Sequence, residues 1–249
     1  MKFSAFTAAG LAIALTLSAC GKHDDDAKSG PPSGARIAPI AAPAGKSWSE
    51  TVAATAEGGY RMGNPDAPIK LIEFGALSCS HCAEFAAKGF TKLRDDYVNS
   101  GRVNYELRLF MLNPYDVPAA MLATCGTPEA VIPLSEQFWA WQPNMFMNIQ
   151  KAGEPQLQAV GALPENQRFA AIAKVAGMDT FFASRGIAAD QGAACLADTA
   201  KATRFANQTQ QASEKYGVTG TPWFYLNGAD IGSLGWEELE PLLQKAGAR

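Results

Sequence analysis

The chain has 249 residues and is short of several things. Two histidines leave little for a site built on imidazole ligands. There is no excess of positive charge. Lys+Arg number 21 against 24 Asp+Glu, a formal net charge of −3, which argues against non-specific nucleic-acid binding. No internal repeat is visible, and after residue 20 no apolar run is long enough to cross a bilayer. Apolar residues make up 47%, enough for a core in one or two domains and too many for a wholly disordered chain. Five cysteines are present, an odd number that cannot all pair.

The N-terminus accounts for the odd one. Met1-Lys2 opens a short positive region, and Phe6 to Leu17 is mostly apolar, too short to span a bilayer and suited to the core of an export signal. Leu17-Ser18-Ala19-Cys20 resembles the bacterial lipoprotein box. That resemblance implies a signal over residues 1–19, lipid on Cys20 and a periplasmic protein anchored to a bacterial membrane. An ordinary cleaved signal with an incidental Cys20 is the alternative. Four thiols then remain, Cys79, Cys82, Cys125 and Cys195, in a compartment where disulfides persist. Residues 20–47 are rich in Pro, Gly, Ala and Ser and poor in large apolar groups. They are expected to form a flexible tether with a reach of roughly 30 Å. His23 and the Asp24-Asp25-Asp26 run within it read as solvated.

Folding is expected from near Trp48. Gly63-Asn64-Pro65-Asp66-Ala67-Pro68 is turn chemistry, and Ile69-Lys70-Leu71-Ile72-Glu73-Phe74 reads as a buried strand. From Ser80 to Val98 apolar residues recur at helical spacing, and Val103 to Leu112 is a second strand. Residues 113–212 look helical, broken into pieces by Pro and Gly. Trp223 to Leu226 is a strand, Asn227-Gly228 a turn and Trp236 to Ala246 a last helix. Strand–helix–strand implies parallel pairing. The fold class is therefore α/β, with one unit over 48–112 and 213–249 and an inserted helical subdomain over 113–212.

The chemistry centres on Cys79-Ser80-His81-Cys82. Two cysteines so spaced at a helix start can form a disulfide. Cys79 is expected at the helix N-terminus and exposed, where backbone N–H groups favour the thiolate. His81 is expected to add positive charge or a hydrogen bond to the same sulfur, and Cys82, one turn in, to be the shielded resolving thiol. Half a zinc site is the structural rival. It would need two further ligands, and there is no second Cys-x-x-Cys.

Glu73 falls in the middle of an apolar strand. An unpaired carboxylate there would be hard to ionise and could exchange protons with Cys82. The bland alternative is that it faces solvent or pairs with Arg108 on the next strand. Thr221-Pro222 opens the last strand pair. Proline is confined to strand starts, edges and bulges, and a cis bond there would bring the Thr221 backbone beside the cysteines.

Together these residues resemble the DsbA-like thiol–disulfide oxidoreductases of the thioredoxin superfamily. The stretch Gly63 to Pro68, the Glu73-Phe74 pair, Cys79-Ser80-His81-Cys82 and Gly220-Thr221-Pro222 fall in that family's order and spacing, with a helical insertion between the halves. The resemblance implies a thioredoxin-like fold, a nucleophilic Cys79, a resolving Cys82, a tuning His81, a buried acid at Glu73 and a cis-proline at Pro222. It implies a redox-active disulfide with no metal or organic cofactor. The implied substrates are reduced or unfolded exported proteins, and the implied partner is a membrane thiol–quinone oxidoreductase. Ser80 and Thr221 depart from many oxidases, which keeps open an isomerase or reductase served by a thioredoxin-like reductant. A non-enzymatic metal-binding or scaffold lipoprotein is a third reading.

Cys125 and Cys195 fall in the helical block, outside any Cys-x-x-Cys. They are expected to be a structural disulfide, as in members of the group with an extra bridge there. A second redox relay and two free thiols are the alternatives. Phe138, Trp139, Trp141, Met145, Phe146 and Met147 lie at helical spacing and are read as core, with a binding groove for varied partners as the alternative.

Overall fold

The computed structural model describes residues 34–249. The export signal, Cys20, His23 and the first part of the tether lie outside the described residues. Six strands form one sheet in the order β1-β2-β4-β3-β5-β6. At its centre β3 (Ile69–Gly75) pairs in parallel with β4 (Val103–Leu109), with Ile69 opposite Val103 and Gly75 opposite Leu109. Every residue of β4 is buried, as expected of a strand covered on both faces. β5 (Trp223–Leu226) and β6 (Ala229–Gly232) form a hairpin on one side, through a turn at Asn227 and Gly228, both at positive φ. On the other side β2 (Tyr60–Met62) pairs antiparallel with β4, and β1 (Val52–Ala54) pairs antiparallel with β2 at the edge. These two strands of three residues are too short for alternation to reveal them.

The second strand ends at Leu109, three residues before the expected Leu112. The reason is a competing acceptor: the N–H groups of Leu112 and Asn113 donate to the buried Asp116 carboxylate at 3.0 and 2.9 Å, which folds the chain into a turn.

Helix α1 (Ser80–Phe85) follows β3 and continues through wider helical turns over Ala86–Phe90 and Leu93–Val98. With α8 (Trp236–Lys245) it covers one face of the sheet, where Phe85 meets Phe224 at 4.9 Å and Trp236 at 6.3 Å between ring centroids. Between β4 and β5 lie α2 (Asp116–Ala123), α3 (Pro128–Gly161), α4 (Glu165–Ala176), α5 (Met178–Ala183), α6 (Ala189–Ala197) and α7 (Thr199–Tyr216). α3 is interrupted at Gly153, whose φ of 71° is outside the helical range. The block does not end at residue 212. α7 runs on to Tyr216 and stops at Gly217 (φ 63°), because no helix breaker precedes that glycine. Its last turn packs on the second face of the sheet, Tyr216 lying 5.4 Å from Phe74.

Cys125, just past α2, and Cys195 in α6 are joined by a disulfide. Phe138, Trp139 and Met145 are buried, and Phe138 packs with Trp141, Phe181 and Phe182. Phe146 and Met147, read as core, are instead 40% and 47% exposed.

The expected tether is corrected from residue 34 onward. Gly34 and Ile37 N–H groups donate to the carbonyls of Lys245 and Gly247, and Ile40 N–H donates to Ser100, all at 2.8–2.9 Å. The Trp48 indole N–H donates to the Ile40 carbonyl at 2.7 Å. Composition suggested disorder because large apolar groups are scarce. The backbone nonetheless finds partners at the end of α8, and an extended segment is ordered by them.

Candidate active site

The end of β3 delivers the chain to Cys79, which is the N-cap of α1. Its sulfur accepts the Cys82 backbone N–H at 3.4 Å. In thiol form it donates to the Thr221 carbonyl at 3.1 Å. The adjoining Cys82 thiol and the N–H groups of Cys82 and His81 favour the thiolate, and the nearness of Thr221 adds to them. Together they hold the Cys79 thiol down at about 5 against the opposing effect of burial. The expected exposure of Cys79 is corrected: the residue is 5% exposed, closed in by the Thr221 loop. Cys82 is fully buried, and burial, with Cys79 and Glu73 nearby, pushes its thiol well above the ordinary value. Both are free thiols in this state, and their affinities for a proton are driven apart.

Glu73 is fully buried on the face of β3 below this pair. The Tyr105 hydroxyl donates to Glu73 Oε2 at 2.7 Å, while Oε1 has no hydrogen-bond partner. Burial pushes the Glu73 carboxyl up to about 8. Arg108 is not its partner. Arg108 lies opposite Phe74, so the period of two places it on the other face of the sheet. There it pairs with Glu106 at 2.7 Å. Tyr105 is a residue that sequence reasoning missed. Its signal is its place in β4 two residues before Leu107, which pairs with Glu73, and hence on the same face. Glu136 on α3 was also missed; burial pushes its carboxyl up to about 8, with Glu73 adding to the effect.

The His81 ring takes a different place from the one expected. Its side chain is 78% exposed and its Nδ1 lies 3.9 Å from Glu84 Oε2. It is the His81 backbone N–H, not the ring, that favours the Cys79 thiolate. The Thr221–Pro222 bond is cis, and the Thr221 hydroxyl is buried without a partner. Pro222, His81, Phe85, Leu234 and Trp236 border a groove of about 260 Å³ beside the cysteines, rimmed by Glu84, Lys88 and Glu237. Among the described residues no group of three or more His, Cys, Asp or Glu is placed to hold a metal ion. The Cys125–Cys195 bridge belongs to the helical block, and among the described residues it shares no hydrogen-bond partner with the Cys79 pair.

The family model described as thioredoxin matches residues 55–245. The structure is similar to that of a protein-disulfide isomerase from Novosphingobium aromaticivorans. The TM-score is 0.72 at 29% identity, covering 76% of this chain and 97% of that one. Alpha-DsbA1 of Wolbachia pipientis shares the fold, with a TM-score of 0.59 at 20% identity over 75% of this chain and 89% of that one. In sequence, disulfide bond formation protein D of Bacillus subtilis is 27% identical over 90 residues, 36% of each chain. A Rickettsia conorii relative, named provisionally as a protein-disulfide oxidoreductase, is 23% identical over 193 residues, 74% of this chain and 59% of its own length. The chain spans between 24% and 60% of the length of the Rickettsia relatives it matches. With the matched region, the shared sheet and the helical insert in agreement, the chain belongs to the thioredoxin family and has the DsbA-like form of its fold.

Proposed function

We propose that the protein is an exported thiol–disulfide oxidoreductase that introduces disulfides into reduced substrate proteins through Cys79 and Cys82. The observation that carries this reading is the asymmetry of the pair. One thiol is held at about 5 by its neighbours and the other is pushed well above its ordinary value. Stabilising the thiolate of the reduced form makes the oxidised form the stronger oxidant.

In the reaction a substrate thiolate attacks the Cys79 sulfur of the Cys79–Cys82 disulfide. A bond forms between the substrate sulfur and Cys79, and the electron pair leaves on Cys82. A second substrate thiolate attacks the substrate sulfur of that mixed disulfide and expels Cys79 as a thiolate. The substrate is oxidised by two electrons and the enzyme pair is reduced. In this reading Glu73 gives a proton to the departing Cys82 sulfur; its unpartnered oxygen and its electrostatic effect on the Cys82 thiol support that role. The redox disulfide supplies the chemistry without a metal or organic cofactor. Export, lipid on Cys20 and a periplasmic site at a bacterial membrane complete the reading, with reoxidation by a membrane thiol–quinone oxidoreductase.

A second reading, an isomerase or reductase kept reduced by a thioredoxin-like partner, is favoured by Thr221 before the cis-proline. The similarity to the chain named a protein-disulfide isomerase favours it too. Two measurements separate the readings. Oxidised protein should restore disulfides to a reduced test protein, and Cys79→Ser should lose that activity; undiminished activity in the variant would sink the proposal. A Cys79/Cys82 reduction potential near that of thioredoxin, rather than near the most oxidising members, would turn it toward the second reading.

A further inference from the structure

The turn that presents Cys79 is gripped from outside the thioredoxin unit. Each residue from 76 to 79 meets a side chain of the helical insert through its backbone. Trp139 Nε1 donates to the Ala76 carbonyl at 2.9 Å. Gln142 Nε2 donates to the Leu77 carbonyl at 2.7 Å and to the Cys79 carbonyl at 3.0 Å. The Asp116 carboxylate accepts the Ser78 N–H at 2.7 Å and the Ser78 hydroxyl at 2.9 Å. All three insert residues are buried. Trp139 and Gln142 stand three apart on α3 and so share the face that meets this turn.

Of these three insert residues, Gln142 is the one that bonds the Cys79 carbonyl. Its amide nitrogen carries two hydrogens, and both find carbonyl acceptors. The Cys79 carbonyl and the Ser80 N–H belong to one rigid peptide plane. The angle ψ of Cys79, 122°, fixes that plane and with it the direction in which α1 leaves. It therefore fixes where the His81 and Cys82 N–H groups stand relative to the sulfur. The Ala83 N–H also binds this carbonyl, at 3.1 Å, but a first helical turn held by its own bond alone frays. Gln142 is the second, external restraint.

We propose that Gln142 is a positioning residue for the thiol chemistry, holding the Cys79 carbonyl so that Cys79 Sγ stays where it receives the Cys82 N–H. The helical insert thereby tunes the redox pair as well as flanking it. The inference deepens the proposed function and rests on Cys79 being the reacting thiol. A glutamine suits the place because it offers two donors without a charge. A glutamate there would turn a carboxylate toward two carbonyls beside a thiolate.

The test is a titration of the reduced protein itself. Thiolate absorbance and alkylation rate are followed against pH in the parent, Gln142→Met and Gln142→Glu, alongside the thermal midpoint. Methionine keeps the length of the side chain and removes both donors. The expected result is a folded Gln142→Met whose Cys79 titration midpoint rises by about one pH unit, about tenfold in proton affinity. Gln142→Glu should rise further. Folded variants with an unchanged titration would overturn the inference. So would the unfolding of both, since Gln142 would then be holding the fold rather than the sulfur. The readout needs no substrate, so it stands apart from the Cys79→Ser oxidation assay that tests the function.

Discussion

The Tyr105 hydroxyl and the Glu73 carboxylate form a 2.7 Å hydrogen bond inside the sheet-facing core, beneath the two thiols. It is the bond by which an acid in the middle of an apolar strand is accommodated. It satisfies one carboxyl oxygen and leaves the other without a partner. That arrangement suits a group that takes and returns a proton better than one that holds a fixed charge.

The buried acid makes stability depend on pH in a stated direction. Its carboxyl is raised to about 8 in the folded chain, whereas the unfolded chain has the ordinary value of 4.5. A raised value contributes stability fully below the unfolded value and loses it as pH climbs toward the folded one. Glu73→Gln removes this dependence. The expected outcome is that Glu73→Gln gains on the parent by a few kcal/mol as pH rises from about 4.5 to about 8. Each tenfold change in proton affinity between the folded and unfolded chains contributes about 1.4 kcal/mol to that gain. Denaturant midpoints of the two reduced proteins across that range check it. Parallel curves would show that the carboxyl is not perturbed.

Cys82 is the largest single contributor to the lowered Cys79 thiol. Cys82→Ala should therefore raise the Cys79 value above about 5, and alkylation of Cys79 at mildly acidic pH should slow severalfold. Given a substrate that carries a disulfide, Cys79 of the same variant attacks it and expels one substrate thiolate, and with no Cys82 to release the other sulfur the mixed disulfide should accumulate. Alkylation rate against pH, followed by mass spectrometry, reads both. An unchanged rate profile would mean that the backbone N–H groups alone hold the thiolate.

The bridge between Cys125 and Cys195 closes a loop of 70 residues far from Cys79 in sequence. Replacing both cysteines by alanine should destabilise the fold by about 2–4 kcal/mol. At this chain length that corresponds to a fall of roughly 5–15 °C in Tm. The Cys79 titration should stay where it is. Calorimetry with a parallel thiol titration checks both halves, and a moved titration would give the bridge a part in the chemistry.

Much of the site could be read along the chain because its parts are local. Cys79 and Cys82 lie within one helical turn, and the strand before them announces itself by its run of apolar residues. Glu73 stood out because a carboxylate interrupts that run. Which face it takes was legible only in part. Period two separates it from Phe74, but the partner on that face depends on the register between β3 and β4, which sets Tyr105 rather than Arg108 beside it. The His81 ring escaped prediction for a similar reason: closeness in sequence does not say which way a side chain turns, and the ring turns outward, its Nδ1 3.9 Å from Glu84 Oε2.

The sequence by itself determined the spacing of Cys79 and Cys82 at a helix start, the αβ order with its inserted helices, and the proline that opens the last strand pair. These rest on spacing and periodicity, which a chain carries whatever it packs against. Only the tertiary structure decided that residues 34–46 are ordered, that Cys79 is nearly enclosed, and that Asp116, Trp139 and Gln142 hold the turn at residues 76–79. Those facts depend on backbone groups finding partners tens of residues away. No local pattern encodes such a partner, because a carbonyl at Cys79 is chemically the same as any other until the fold brings an amide to it.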